Sequence, residues 1–300
     1  MTAKYQLMDE EKVNYPVIMM ARLLNLARQG YYRWVHNQRR HTEPPWRTTV
    51  KQDILRLWET STNRHGVRRI RAELAGEGKI LSLWLVRQLM KELGITGIQP
   101  RAKKNTTVPD PDAPTRVDLV ERHFYPPVAT TVLVGDITYL RTGEGWLYLA
   151  TVIDLTTRMV VGWSIQPHMR ASLVVEALRM AYESGYTAGN AIFHSDKGAQ
   201  YTSKDMALAA KSMDIRLSCG RTGSAHDNAV AESFFSMLKN EMYHRTTFAT
   251  HSRARLEVAT YIEVYYNRQR PHSTLGYRTP AQAMADHTYQ ASSENLPLAA

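Results

Sequence analysis

Only one cysteine, Cys219, occurs in the 300 residues. That excludes an internal disulfide and any Cys-rich zinc module, and it fits a reducing cytosol. Long apolar runs are also missing, since nothing approaches the ~20 residues needed to span a bilayer. The first eleven residues lack the basic-then-apolar order of a signal peptide, so no membrane association or export is expected. Compositional disorder is excluded as well: 43% of the residues are apolar, enough to build real cores. The length allows a catalytic domain with one or two small companions.

Acidic residues are scarce in one part only. Residues 1–116 hold 21 Lys and Arg against 11 Asp and Glu, a net of +10, whereas residues 117–300 hold 17 of each. A basic region beside a balanced, acid-bearing one suits a polyanion gripped at one place and cut at another. A solvated basic face is the plainer reading of the same asymmetry.

Residues 131–140 (TVLVGDITYL) form a β-branched, apolar run around a single carboxylate, Asp136. Desolvating an ionised carboxylate costs several kcal/mol unless a partner compensates. The nearest basic residue, Arg141, is five positions away. Asp136 is therefore either a strand-end acid bonded to a turn or a metal ligand awaiting partners from elsewhere. Two candidates follow. Residues 190–203 (NAIFHSDKGAQYTS) read as a short strand delivering Asp196 at its end. Residues 227–241 (DNAVAESFFSMLKNE) read as a helix that Asp227 or Asn228 can cap, bearing Glu232 and an apolar face of Ala231, Phe234, Phe235, Leu238 and Met242. Two acids on strand ends and one on a helix can converge on oxygen-preferring cations.

Further motifs accompany them: Gly135-Asp136-Ile137-Thr138-Tyr139, His194-Ser195-Asp196-Lys197-Gly198, Gln200-Tyr201-Thr202-Ser203, Asp227-Asn228-Ala229, Tyr266-Asn267-Arg268, Arg270-Pro271-His272 and Leu275-Gly276-Tyr277. In this order and spacing the chain resembles the DDE transposases of the insertion-sequence-three family, the product of the second of that family's two reading frames, over nearly its whole length. The resemblance implies a ribonuclease H-like (retroviral integrase-type) α/β catalytic domain preceded by small all-α helix-turn-helix domains. It implies Asp136, Asp196 and Glu232 as catalytic metal ligands, Mg²⁺ or Mn²⁺ as two bound ions, and double-stranded DNA (terminal repeats and target) as partner. A homo-oligomer, at least a dimer, and the product of the upstream reading frame are further implied partners, in a bacterial cytoplasm at the nucleoid. The chain departs from the family where Leu133 replaces a frequent Trp and His226 a frequent aromatic.

Around these motifs, residues 16–36 read as two short helices broken at Gln29-Gly30, within an N-terminal segment of 1–45. Residues 46–98 read as a trihelical unit: Val50, Ile54 and Leu57, then Val67, Ile70 and Leu74, then a Ser82-capped helix with Val86, Leu89, Met90 and Leu93. It resembles the family's helix-turn-helix, with Leu83-Trp84-Leu85 where the family places polar and basic residues. Arg64, Arg68, Arg69, Arg71, Arg87 and Lys91 are its candidates for DNA phosphate. Residues 99–129 form a basic, proline-rich linker in which Arg101, Lys103 and Lys104 can track a backbone.

The catalytic domain is expected at 130–285, as three hairpin-linked strands followed by alternating helices and strands, with a disordered tail at 286–300. Asp154 reads as a turn acid. His194 is expected beside the metal site without being a ligand. A last helix over 252–267 places an aromatic-and-basic patch, with Arg268, Arg270 and His272, where DNA ends can lie; its Tyr261 and Tyr265 read equally as core. Lys239, seven residues after Glu232 and so on the same helix face, is expected at a phosphate near the scissile bond, and Asn228 at the helix cap and at DNA. Metal-assisted cleavage followed by 3′-hydroxyl transfer is the expected chemistry. A nuclease that cuts without joining and a DNA-binding regulator with an inactive catalytic domain are the alternatives, and Tyr201 as a covalent nucleophile is the mechanistic rival.

Overall fold

The computed structural model describes residues 2–41, 43–99, 118–120, 125–220 and 229–294. The chain divides into two compact units, Met1–Gly97 and Ile98–Ala300.

The first unit is all-helical, with two separate cores. Helices α1 (Thr2–Glu11), α2 (Val17–Leu23) and α3 (Arg28–His41) enclose Met8, Met20, Ala21 and Tyr31. The break between α2 and α3 lies at Leu24–Ala27 rather than at Gln29-Gly30, and Asn25 takes the left-handed conformation (φ 55°) that ends a helix. Gly30 is instead inside α3, where a Cβ would run into the Tyr5 hydroxyl. It is a packing glycine.

Helices α4 (Pro45–Thr60), α5 (Val67–Gly76) and α6 (Leu83–Glu92) bury Val50, Ile54, Leu57, Ile70, Leu74, Val86, Leu89 and Met90. Ser82 caps α6 by accepting a hydrogen bond from the Leu85 N–H. Arg47 and Lys51 of α4 share Glu43 and Glu92, tying α4 to α6.

The second unit is built on a five-stranded sheet. Strands β1 (Val132–Thr142), β2 (Gly145–Asp154) and β3 (Val160–Gln166) form an antiparallel meander. Helix α7 (Ala171–Glu183) crosses to β4 (Ala191–Ser195), which pairs parallel with β1. Helices α8 (Ala199–Thr202) and α9 (Lys204–Ser212) lead to β5 (Ile215–Cys219), parallel to β4. The resulting order is β3-β2-β1-β4-β5, the mixed sheet expected of a ribonuclease H-like fold.

Each face of the sheet carries its own core. Leu133, Ala150, Val152 and Phe193 meet α7 and α9 on one side. Val134, Leu140, Leu149 and Ile153 meet α10 (Ala229–Glu241) and α11 (His251–Thr260) on the other. Asp154 is a buried turn acid as expected: its carboxylate accepts from the N–H and hydroxyl of Thr157 and from the Thr130 N–H.

Two further expectations fail. The last long helix does not stay regular, because α11 widens into a π-helical turn, Tyr261–Tyr266. The wider turn lets Tyr261, Ile262, Tyr265 and Tyr266 all face inward. The tail expected to be disordered from Asp286 is instead helical to Glu294, in α12 (Pro280–Glu294). Thr279 and Gln282 form its capping box: Thr279 Oγ1 accepts from the Gln282 N–H, and Gln282 Oε1 accepts from the Thr279 N–H. Among the described residues no helix is long and apolar enough to cross a membrane.

Candidate active site

Strand register brings the two aspartates together. Val132, Leu133 and Val134 of β1 lie beside Ile192, Phe193 and His194 of β4. Asp136, two residues after Val134 on β1, shares that residue's face by the two-residue strand repeat, and Asp196, two residues after His194, is the first residue beyond β4. The close approach of the strands depends on Gly135, where a Cβ would strike the Phe193 ring. The carboxylates are locally held, since Asp136 Oδ1 accepts from the Ile137 N–H at 2.8 Å and Asp196 Oδ1 from the Gly198 N–H at 3.0 Å.

Tyr201 registers their convergence. Its phenol is pushed well above the ordinary tyrosine range, first by burial and then by the charges of both Asp136 and Asp196. A phenol held protonated is a poor nucleophile, which counts against a covalent role for Tyr201.

Glu232 comes from the helix over the same face. It stands in the first turn of α10, whose Ala231, Phe234, Phe235 and Leu238 share a core with Val134. Among the described residues no three His, Cys, Asp or Glu side chains stand close enough together to hold a metal ion. Asp136 and Asp196 both act on Tyr201, and Glu232 stands on a separate element that follows residues 221–228, outside the described part. Carboxylate oxygens such as those of Asp136 and Asp196 suit a hard divalent cation, and Thr151 lies directly opposite Asp136 in the ladder. The Thr151 Oγ1 is buried and finds no hydrogen-bond partner among the described residues.

The neighbouring residues take definite places. Lys239 Nζ lies 4.8 Å from the centroid of the Tyr139 ring. His194 is buried, with Nδ1 2.8 Å from Ser218 Oγ and 4.0 Å from Asp118 Oδ1. Arg270 is the clear correction: it is buried and forked onto Glu241, so it offers nothing to DNA. Tyr261 and Tyr265 are likewise core, leaving Arg268 exposed and His272 half-buried, its Nδ1 at Thr274 Oγ1. In the helical unit Arg68, Arg71, Arg87 and Lys91 are exposed, and Arg64 and Arg69 half-buried. Asn228, Arg101, Lys103 and Lys104 lie outside the described residues. The Glu241–Arg270 pair went unread in the sequence because its partners are 29 residues apart with no periodicity linking them.

The integrase core domain family matches residues 127–225, a second integrase core domain profile matches 213–280, and an HTH-like domain family matches 45–103. Transposase InsF for insertion sequence IS3A of Escherichia coli (strain K12) is 36% identical over 280 residues, covering 93% of this chain and 97% of that protein. The insertion element IS600 uncharacterized 31 kDa protein of Shigella sonnei is 35% identical over 265 residues, covering 87% and 96%. Among solved structures, the catalytic core domain of BIV integrase aligns with a TM-score of 0.41 and 18% identity, over 54% of this chain and 99% of that one. Sheet order and the integrase-core matches together define a polynucleotidyl transferase of the integrase-core class. Within that class, the chain belongs to the IS3 family of insertion-sequence transposases.

Proposed function

We propose that this chain cuts DNA at the ends of its element and joins the freed 3′-hydroxyl to target DNA, using Asp136, Asp196 and Glu232 as the metal-holding acids. The observation that carries the reading is the matched position of Asp136 and Asp196, each two residues beyond the last β1–β4 pair, with Glu232 in the first turn of α10. When bound, two Mg²⁺ or Mn²⁺ ions would activate the attacking hydroxyl and stabilise the departing oxygen. Asp136, on the interior strand, would hold the ions together with Asp196 and Glu232. Lys239 fixes a phosphate oxygen near the scissile bond. Water attacks first and the freed 3′-hydroxyl second, each in line, and no protein side chain forms a covalent intermediate.

The basic helical unit supplies the grip on duplex DNA. Arg68, Arg71, Arg87 and Lys91, with Arg64 and Arg69, contact phosphates and set position rather than read bases. Arg101, Lys103, Lys104, Asn228, Arg268 and His272 extend that contact. Two DNA ends are brought together by at least a dimer, aided by the product of the upstream reading frame.

Supercoiled plasmid, duplexes carrying the element's ends and Mg²⁺ test the reading. Joined products support it; cuts without joining indicate a nuclease, and binding alone indicates a regulator.

A further inference from the structure

The hairpin beyond the acids carries surface groups that the chemistry above does not use. β1 pairs with β4 only over Val132–Val134, whereas its pairing with β2 runs on to Thr142 and Gly145. On this projection Tyr139 and Trp146 pack edge to face, with ring centroids 5.4 Å apart and planes at 82°. Both stay half in solvent, at 54% and 46% exposure. A cation stands against each: Lys239 Nζ at 4.8 Å from the Tyr139 centroid and Arg141 Cζ at 5.9 Å from that of Trp146. The one acid of the hairpin turn, Glu144, is engaged by the His251 N–H.

Two adjoining rings left wet, each flanked by a positive charge, match neither an apolar protein partner nor a plain solvated surface. They match a nucleotide, whose base stacks on an aromatic ring while its phosphates take the cations. Position narrows this further. Tyr139 follows Asp136 by three strand residues, roughly 10 Å along β1, so its side chain leaves the other face of the strand, and Lys239 at its ring is what links it to the acid-bearing helix. Lys239 shares α10 with Glu232.

We propose that Tyr139 and Trp146 form a stacking platform for an unpaired base of the DNA end close to the cleavage point, with Lys239 and Arg141 on the flanking phosphates. The proposal rests on the reading that the three acids cut DNA. A cross-strand aromatic pair also steadies its own hairpin, an effect of about 0.2–1 kcal/mol, so the test must separate the two roles.

Full-length protein is mixed with duplexes of the element's ends bearing 2-aminopurine at each of the three positions nearest the cleavage point. Binding is read in the Asp136→Asn background, where it does not depend on chemistry. The proposal expects quenching at one of those positions with the Tyr139 and Trp146 rings present, retained in Tyr139→Phe and lost in Tyr139→Ala and Trp146→Ala. With Asp136 intact, the alanine variants join ends about 5- to 150-fold more slowly, the range expected for loss of one base stack. Ends with mismatched terminal pairs recover part of that loss.

Unchanged quenching and joining in Tyr139→Ala overturn the platform. So does an equal loss on matched and mismatched ends with a lowered Tm, which marks hairpin packing alone. If the otherwise unmodified protein cuts nothing in Mg²⁺, the transposition chemistry itself fails, and the quenching arm still decides the platform.

Discussion

Arg270 and Glu241 form a forked ion pair inside the second unit, with Nη2 2.8 Å from Oε1 and Nε 2.9 Å from Oε2. Tyr261 donates its hydroxyl to the same carboxylate at 3.0 Å. Glu241 ends α10, so the pair ties the helix bearing Glu232 to the segment after the π-turn. Removing one partner strands a buried charge. Arg270→Ala is expected to cost about 3–5 kcal/mol in urea unfolding. Arg268→Ala, at an exposed position, is expected to leave stability within about 0.5 kcal/mol and weaken DNA binding in a gel shift. A stable Arg270→Ala with weakened DNA binding would restore Arg270 to the DNA surface.

Gly135→Ala tests how closely the two aspartate strands must approach. The added methyl meets the Phe193 ring on β4, and overpacking of this kind costs about 1–3 kcal/mol. Joining activity is expected to fall with stability, and Phe193→Leu to restore part of both. An inert Gly135→Ala would mean that the strands have slack at the acids.

Alkaline pH should unfold the catalytic unit through its buried phenols. Burial raises Tyr266 to about 12, against about 10 for a solvated tyrosine. Between those values the unfolded chain releases the proton and the folded one keeps it, so stability is intact below pH 10 and falls as pH rises towards 12. The loss from this residue alone is on the order of 2–3 kcal/mol. Tyr266→Phe is expected to flatten that part of the pH–stability curve. It should also cost about 1 kcal/mol at neutral pH, through the lost hydrogen bond to the Arg158 carbonyl. An unchanged alkaline slope would remove Tyr266 from the account.

The catalytic strands were legible because their signals are local. β-branched runs mark β1 and β4, and a lone carboxylate within the first and just after the second stands out against them. The helical unit was legible for the same reason, down to the Ser82 cap. What stayed hidden depends on contacts between distant segments. Gly30 reads as a breaker until Tyr5 is seen against it. Asn267 reads only as the middle of the Tyr266-Asn267-Arg268 motif, with no role of its own, yet its side chain bonds both the N–H and the carbonyl of Val160, 107 residues away. The α12 helix was a missed opportunity: Thr279-Pro280-Ala281-Gln282 is a capping box with proline at the first helical position, written in the sequence.

Joining of the element's ends into plasmid, with Mg²⁺ and the variants Asp136→Asn, Asp196→Asn and Glu232→Gln, tests the central claim most directly. The expected result is loss of joined product in all three, with gel-shift affinity for the ends and thermal stability retained. Strand transfer surviving in any one of them would contradict the three-acid site.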